Sequence, residues 1–344
     1  MQLTIDLTGR DVLVTGADHA ARQAIRRYEA AGARVHRLST PAGAPGDGPL
    51  PEKPFLVAAV DDGQPGWELL LDRCRRAGVP VAMEPPAGPA GHVTLVGGGP
   101  GTMELLTVGA VEALRDADVV FYDRLAPYQE LARLTSAELV DVGKQPGHHK
   151  VTQRDIENLM VGAALAGNNV VRLKGGDPYV FGRGGEEVAA CAAAGLPVRV
   201  VSGVTSAISV PAAAGIPVTH RAVSHMFTVV SGHAPLTDKE HEHLAGLGGT
   251  IVVLMGIGTL PQLAAGLRRA GMATDTPMAV VERGYRPGQR TTIADLGTIV
   301  TAAANCTNPA VLVIGEVVRV AEANANQAQA TADLDRLAAS LAEA

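Results

Sequence analysis

Short apolar runs rich in valine, leucine and isoleucine recur along the chain, each closed by glycine, proline or a small polar residue. Between them lie stretches long enough for two to four helical turns, the pattern of alternating strands and helices. Residues 11–16 (Asp-Val-Leu-Val-Thr-Gly) predict a strand entering a turn, residues 20–31 a helix stopped by Gly32, and residues 34–38 a second strand. Residues 41–54 are Pro- and Gly-rich and predict a loop. A third strand follows over 55–60, a helix over 67–77 and a short fourth strand over 79–83. Residues 84–91 (Glu-Pro-Pro-Ala-Gly-Pro-Ala-Gly) have linker composition and place a domain boundary near residue 90.

The pattern then restarts. A strand at 92–97 meets a Gly-Pro-Gly turn, Glu104 opens a helix running to about Arg115, and residues 118–124 predict a strand with Asp123 near its carboxyl end. Strands at 139–142, 170–174 and 198–201 alternate with helices at 153–166, capped by Thr152, and at 186–194. A third unit begins near residue 215, with strands at 226–231, 249–255, 278–282, 290–294 and 310–315 and a helix over 259–270. Leu334, Leu337 and Leu341 stand at helical spacing in an Ala- and Gln-rich tail. The expected class is α/β, divided into residues 1–88, 92–214, 215–322 and a tail helix over 323–344.

Composition narrows the function. At 344 residues, with 47% apolar and 19% charged positions, the chain can bury several cores and is not of disordered type. A net charge of −6 gives no general attraction to nucleic acid or anionic membranes. Aromatics are only 3%, so a cage of stacked rings is not expected around a ligand. Cys74, Cys191 and Cys306 are far apart and match no metal spacing. No apolar run approaches a membrane span, and residues 1–30 lack the apolar core of a signal peptide. A soluble cytoplasmic protein is expected, without metal, nucleic-acid or membrane partners.

The densest chemistry lies in residues 170–187, Val-Val-Arg-Leu-Lys-Gly-Gly-Asp-Pro-Tyr-Val-Phe-Gly-Arg-Gly-Gly-Glu-Glu. Glycines at a strand-to-helix turn let the backbone approach a ligand closely. Asp177 offers a hydrogen-bond acceptor, while Lys174 and Arg183 either meet acidic groups or shape the loop. Asp123 sits where open α/β sheets collect ligands, although a strand-end or capping role explains it equally well. Thr205 and Ser206 either bond a ligand or cap a helix. His148 and His149 are adjacent, so a shared metal ion is not expected.

Several turns together resemble one family. Val96-Gly97-Gly98-Gly99-Pro100-Gly101, Tyr122-Asp123-Arg124-Leu125, Gly143-Lys144, the 170–187 stretch, Gly203-Val204-Thr205-Ser206-Ala207, residues 216–221, Met255-Gly256 and Asn308-Pro309-Ala310 are similar, in order, to the uroporphyrinogen-III C-methyltransferases of the tetrapyrrole methylase family. The resemblance covers roughly residues 92–320 and implies a two-lobed α/β homodimer with S-adenosyl-L-methionine between the lobes and S-adenosylhomocysteine as product. It implies donor contacts from Pro100, Gly175, Gly176, Asp177, Val180, Thr205, Ser206, Met255 and Gly284. It also implies a proton-accepting Asp123 and a proton-donating Lys144. The acidic side chains of a tetrapyrrole substrate need cations, and Arg124, Lys174, Arg183 and Arg221 are the candidates, with Lys150 and Arg154 behind them. Thr102 and Ser202 depart from the family's Asp and Pro at those turns and are expected to tune turnover. A later precorrin methyltransferase, or a donor-binding protein without turnover, are the alternative readings.

Residues 1–88 resemble a shortened copy of the Rossmann-like dehydrogenase domain of sirohaem synthases. The glycine fingerprint is reduced to Gly16, followed by Ala17, Asp18 and His19, and no acidic residue closes the second strand to hold a ribose. NAD is not expected to bind. The purified protein should give no NAD-dependent oxidation of precorrin-2; NADH formation followed by absorbance would refute this reading.

Overall fold

A computed structural model of the chain describes residues 5–41, 51–87, 91–143 and 152–324. It begins with β1 (Asp11–Thr15), α1 (Asp18–Ala30), β2 (Arg34–Leu38), β3 (Leu56–Val60), α2 (Trp67–Arg76) and β4 (Val81–Glu84). The strands form a parallel sheet in the order β2-β1-β3-β4. Inner strand β3 is apolar along its length and β1 is apolar over Val12–Val14, because both faces are covered, as parallel sheets require. Ala20, Ala21, Ala24 and Tyr28 of α1 pack on one face, and Trp67 and Leu71 of α2 pack on the other.

Helix α1 has no side-chain cap of its own. Instead the Ala17 N–H donates to Asp62 Oδ2 at 2.6 Å, from just beyond the end of β3. Asp62 Oδ1 accepts from the Gln64 N–H and Trp67 Nε1 at 3.0 and 3.1 Å. Burial pushes the Asp62 carboxyl up, but these donors outweigh it and hold the group below its ordinary value. A carboxylate of the chain thus occupies the positive end of α1, where a dinucleotide fold seats a pyrophosphate.

The outward face of α1 meets the next sheet through charge. Arg22 Nε lies 3.0 Å from Asp118 Oδ2 and Arg26 Nη1 lies 3.1 Å from Asp118 Oδ1. Gln23 Nε2 donates to Asp116 Oδ1 at 2.8 Å. Asp118 is fully buried and also accepts the Asn169 N–H at 2.8 Å.

That next sheet is built from β5 (His92–Gly97), α3 (Val108–Arg115), β6 (Val119–Tyr122), β7 (Glu138–Asp141), α4 (Gln153–Leu165), β8 (Asn169–Lys174), α5 (Gly184–Ala193) and β9 (Val198–Val201). All pairings are parallel, in the order β7-β6-β8-β5-β9. The expected helix over 104–115 is divided. A 3-10 turn spans Met103–Leu105, Thr107 is extended, and its Oγ1 accepts the Ala110 N–H at 3.2 Å, so α3 starts at Val108. A threonine that satisfies a free helix N–H is better placed as a cap than inside the helix.

The remaining elements are α6 (Ser206–Ala213), β10 (Phe227–Ser231), α7 (Asp238–Leu247), β11 (Thr250–Leu254), α8 (Leu260–Arg269), β12 (Pro277–Glu282), β13 (Arg290–Asp295), α9 (Ile299–Ala302) and β14 (Ala310–Ile314). Their sheet is mixed, in the order β10-β11-β14-β12-β13, with only β10 and β11 parallel. Helix α7 is absent from the expected elements because its first six residues are charged or histidine and only His241 and Leu244 are buried. Its signal was the capping box, in which Thr237 and Glu240 exchange bonds at the N-terminus.

The chain forms two compact units that do not follow its order. The first takes the residues through Gly97, Thr107–Lys174 and Arg183–Ser202; the second takes Gly98–Leu106, Gly175–Gly182 and everything from Gly203. The loops after β5 and β8 therefore belong with the mixed sheet of β10–β14. Residues 144–151, with Lys144, His148, His149 and Lys150, and most of the expected tail helix lie outside the described residues.

Removing both guanidinium groups in the double variant Arg22→Ala/Arg26→Ala leaves the Asp118 carboxylate buried without a cation. We expect a loss of about 3 kcal/mol, because breaking a buried pair from one side costs more than the pair is worth. Urea unfolding followed by circular dichroism measures it, and an unchanged midpoint would show that α1 is not held by these charges.

Candidate functional site

Within the second unit, the loops after β5 and β8 are joined by backbone alone. Gly99 and Gly176 exchange two hydrogen bonds, of 3.1 and 2.6 Å, as an isolated antiparallel bridge. Both have positive φ, +64° and +71°, and a Cβ on Gly99 would press on the Leu105 carbonyl. Such a conformation favours glycine strongly over other residues. The Pro100 carbonyl accepts from Arg286 Nε at 3.2 Å.

Asp177 fastens the next loop. Its Oδ1 accepts the Tyr179 N–H at 2.8 Å and its Oδ2 the Gly203 N–H at 3.1 Å. The Val180 N–H donates to the Asp177 carbonyl at 3.3 Å. Two residues after Gly203, Thr205 Oγ1 caps α6 by accepting the Ala207 N–H at 3.3 Å. The bare side of Gly176 looks toward α6, since a Cβ there would sit 3.7 Å from the Ser206 N and 3.8 Å from its Oγ. Gly284, after β12, lies so close to Val210 of α6 that a Cβ would come within 2.8 Å of its Cγ1. Pro100, Gly175, Gly176, Asp177, Thr205, Ser206 and Gly284 are thereby brought into one continuous set of loops, with Val180 in the same turn.

Strain gathers at these loop ends. Met255 after β11, Arg283 and Tyr285 after β12, and Phe181 in the 175–182 loop all take left-handed conformations, with φ between 51° and 61°. Each costs a non-glycine residue about 1–2 kcal/mol, and such outliers concentrate where function constrains the backbone. Met255 is exposed at the end of its strand.

In the first unit Asp123 follows β6. Its Oδ1 accepts the Leu125 and Ala126 N–H groups at 3.0 and 3.2 Å, and its Oδ2 lies 3.6 Å from Arg172 Nη2. Arg124 is exposed in the same turn. Arg183 is exposed too, paired with Glu186 at 2.6 Å, and Arg221 is exposed after α6.

Comparison with known proteins places this framework. The family model described as Tetrapyrrole (Corrin/Porphyrin) Methylases matches residues 92–300, more than half of the chain. The chain is a tetrapyrrole methylase. A relative named S-adenosyl-L-methionine-dependent uroporphyrinogen III methyltransferase, from Methanosarcina barkeri, is 47% identical over 241 residues, 68% of this chain and 94% of the relative. A siroheme synthase from Gluconobacter oxydans is 44% identical over 236 residues, but the chain spans only 50% of that relative's length. Among solved structures, the uroporphyrin-III C-methyl transferase of Thermus thermophilus complexed with S-adenyl homocysteine matches with a TM-score of 0.58 at 42% identity, over 67% of this chain and 99% of that one. Residues 1–91 lie outside the family match.

One expectation for the methylase is corrected by its geometry. Lys174 is not a base facing substrate: it is 4% exposed, with Nζ 2.9 and 3.1 Å from the two oxygens of Glu187. Burial, then the positive charge of Arg172, push its pKa down, against Glu187 and Asp123. Glu187 is itself fully buried and also receives Arg172 Nε at 3.0 Å. Neither Arg172 nor Glu187 was singled out from the sequence. The available signal was two cations at alternate positions of an otherwise apolar strand, which places both on one buried face.

A second buried acid supports the 283–289 loop of the methylase. Glu282 Oε1 accepts the Thr307 N–H at 2.8 Å, and Oε2 receives Arg290 Nε at 2.7 Å. Burial pushes Glu282 up, yet Thr307, Arg290 and Cys306 together hold it below its ordinary 4.5. A depressed folded value means that this stabilisation is fully present above the unfolded value and is lost as pH falls through the folded one. The stability difference between wild type and Glu282→Gln, from urea unfolding at a series of pH values, should be constant above about pH 5 and shrink below 4.5. A difference that does not change with pH would contradict this account.

Proposed function

We propose that this chain transfers methyl groups from S-adenosyl-L-methionine to ring carbons of uroporphyrinogen III, twice in succession, giving precorrin-2 for sirohaem or cobalamin synthesis. The observation that carries the reading is the coincidence of the methylase match with the glycine-built loop set from Pro100 to Gly284. The donor combines an adenosine with a zwitterionic amino acid and fits such a set. Gly176 leaves its backbone open opposite the Ser206 N–H and hydroxyl, and Thr205 adds a second hydroxyl close by. Pro100, Gly175, Gly176, Asp177, Val180, Thr205, Ser206, Met255 and Gly284 would hold it. When bound, the donor supplies a methyl group already made electrophilic by a positively charged sulfur.

The chain's own residues then have three tasks. Loops on rigid strand ends hold the reactants in line, where most of the acceleration of such a transfer arises. Asp123 accepts the proton that the macrocycle must release elsewhere to neutralise the cation formed when a ring carbon is methylated, and Lys144 donates a proton where one is needed. Arg124, Arg183 and Arg221, all exposed, pair with the carboxylates of the substrate side chains. The enzyme works as a homodimer in the cytoplasm; among the described residues no helix is long and apolar enough to cross a membrane.

Incubating the protein anaerobically with donor and uroporphyrinogen III should yield a product heavier by two CH2 units in mass spectrometry, each methyl gained being offset by a proton lost. Asp123→Ala should lower kcat by roughly 10²- to 10³-fold, while calorimetric affinity for S-adenosylhomocysteine stays near that of the wild type. No methylated product from the wild-type protein would overturn the proposal.

A further inference from the structure

Strand β8 lies in the middle of its sheet and every one of its residues is buried, yet it carries two cations. Arg172 makes contact in three directions. Nε bonds Glu187 Oε1 at 3.0 Å, Nη1 bonds the Leu173 and Phe121 carbonyls at 2.8 and 3.4 Å, and Nη2 faces Asp123 Oδ2 at 3.6 Å. Lys174 closes the group from the other side of Glu187. Two positive and two negative charges balance, and Asp123, with 28% of its side chain exposed, is the most exposed of the four.

A buried ion group of this kind is a poor way to gain stability, because desolvation cancels most of the attraction. It is a good way to fix an angle. The guanidinium is a rigid plane, so bonds to Glu187 and two carbonyls at its inner edges leave Nη2 one direction to point. That direction is the outer oxygen of Asp123, whose other oxygen is held by the Leu125 and Ala126 N–H groups. Glu187 also balances Lys174, so that Asp123 does not face two uncompensated cations. Other polar or titratable neighbours of Glu187 among the described residues include Gln153, whose Nε2 lies 3.4 Å from Oε1, Cys191, whose thiol is pushed up by burial, then by the charges of Glu187 and Glu157, and the exposed Arg183, held mainly by Glu186.

We propose that Glu187 and Arg172 are positioning residues for methyl transfer: Glu187 locks the guanidinium, and the guanidinium aims the Asp123 carboxylate at the proton it must take. The proposal rests on the role given to Asp123 above, and the test separates the two. Methyl-transfer kinetics are measured across pH for Glu187→Gln, Arg172→Lys and Asp123→Asn, and for each of the first two combined with Asp123→Asn.

Arg172→Lys keeps the charge but loses the planar fork, and Glu187→Gln leaves two cations opposite Asp123. Each should lower kcat about 10- to 100-fold with little change in KM, as expected when a reacting group is misaimed. Glu187→Gln should also move the acid limb of the pH–rate profile to lower pH. Neither substitution should lower kcat further once Asp123 is asparagine, because both act through it.

A purely structural role would instead lower the unfolding midpoint and slow the Asp123→Asn background as well; that result overturns the proposal. So does a folded Arg172→Lys enzyme with wild-type kcat. If Glu187→Gln does not fold, the Arg172→Lys cycle decides alone. Wild-type turnover in Asp123→Asn removes the role of Asp123 itself and the proposal with it. A slow Asp123→Asn beside unaffected Arg172→Lys and Glu187→Gln removes only the positioning pair.

Discussion

The bridge between Gly99 and Gly176 is the contact on which the loop system depends. Its two hydrogen bonds tie the loop after β5 to the loop after β8 where the strands themselves have ended. Side chains would obstruct it, since both residues have left-handed φ and Gly99 lies against the Leu105 carbonyl. Once the bridge is made, Asp177 is carried to the Gly203 N–H and the open side of Gly176 faces the start of α6. Pro100 is likewise carried to Arg286. Loops that are distant in sequence become one surface because backbone groups, rather than long side chains, hold them. That is a stiffer connection and a more compact one.

Charge is handled by the same economy. The buried acids among the described residues are Asp118, Glu187 and Glu282, and each is met by one or two basic side chains and by backbone or side-chain donors. Their tasks differ. Asp118 receives α1 and so attaches the first sheet to the second; Glu187 sits behind Asp123; Glu282 steadies the strained turn of Arg283 to Tyr285. An unpaired carboxylate in any of these places would carry a large desolvation cost. The arginines and the lysine opposite them thus each serve a buried carboxylate of the fold.

The first sheet combines a Rossmann-like arrangement with a side chain at the start of its first helix. Its strand order and helices are those of a small Rossmann-like unit, but Asp62 bonds the Ala17 N–H at the mouth of α1. The outer face of the same helix is devoted to Asp116 and Asp118. One end of α1 is thus occupied by a carboxylate of the chain and one side is docked on the second sheet.

The sequence by itself determined the strands and most helices, because apolar periodicity and glycine or proline stops are local signals that need no partner. It determined the family through its turns, whose glycines are required by backbone geometry wherever they occur. It did not reveal α7, whose charged surface hides two buried residues, nor the break at Thr107, where capping prevailed over helical continuity. The fate of the charges was decided only by tertiary structure. Lys174 and Arg183 look alike as bases in one loop, yet β8 buries the first against Glu187 while the second remains at the surface. Which of two similar cations stays at the surface depends on what packs over it, and that is a property of contacts between segments far apart in the chain.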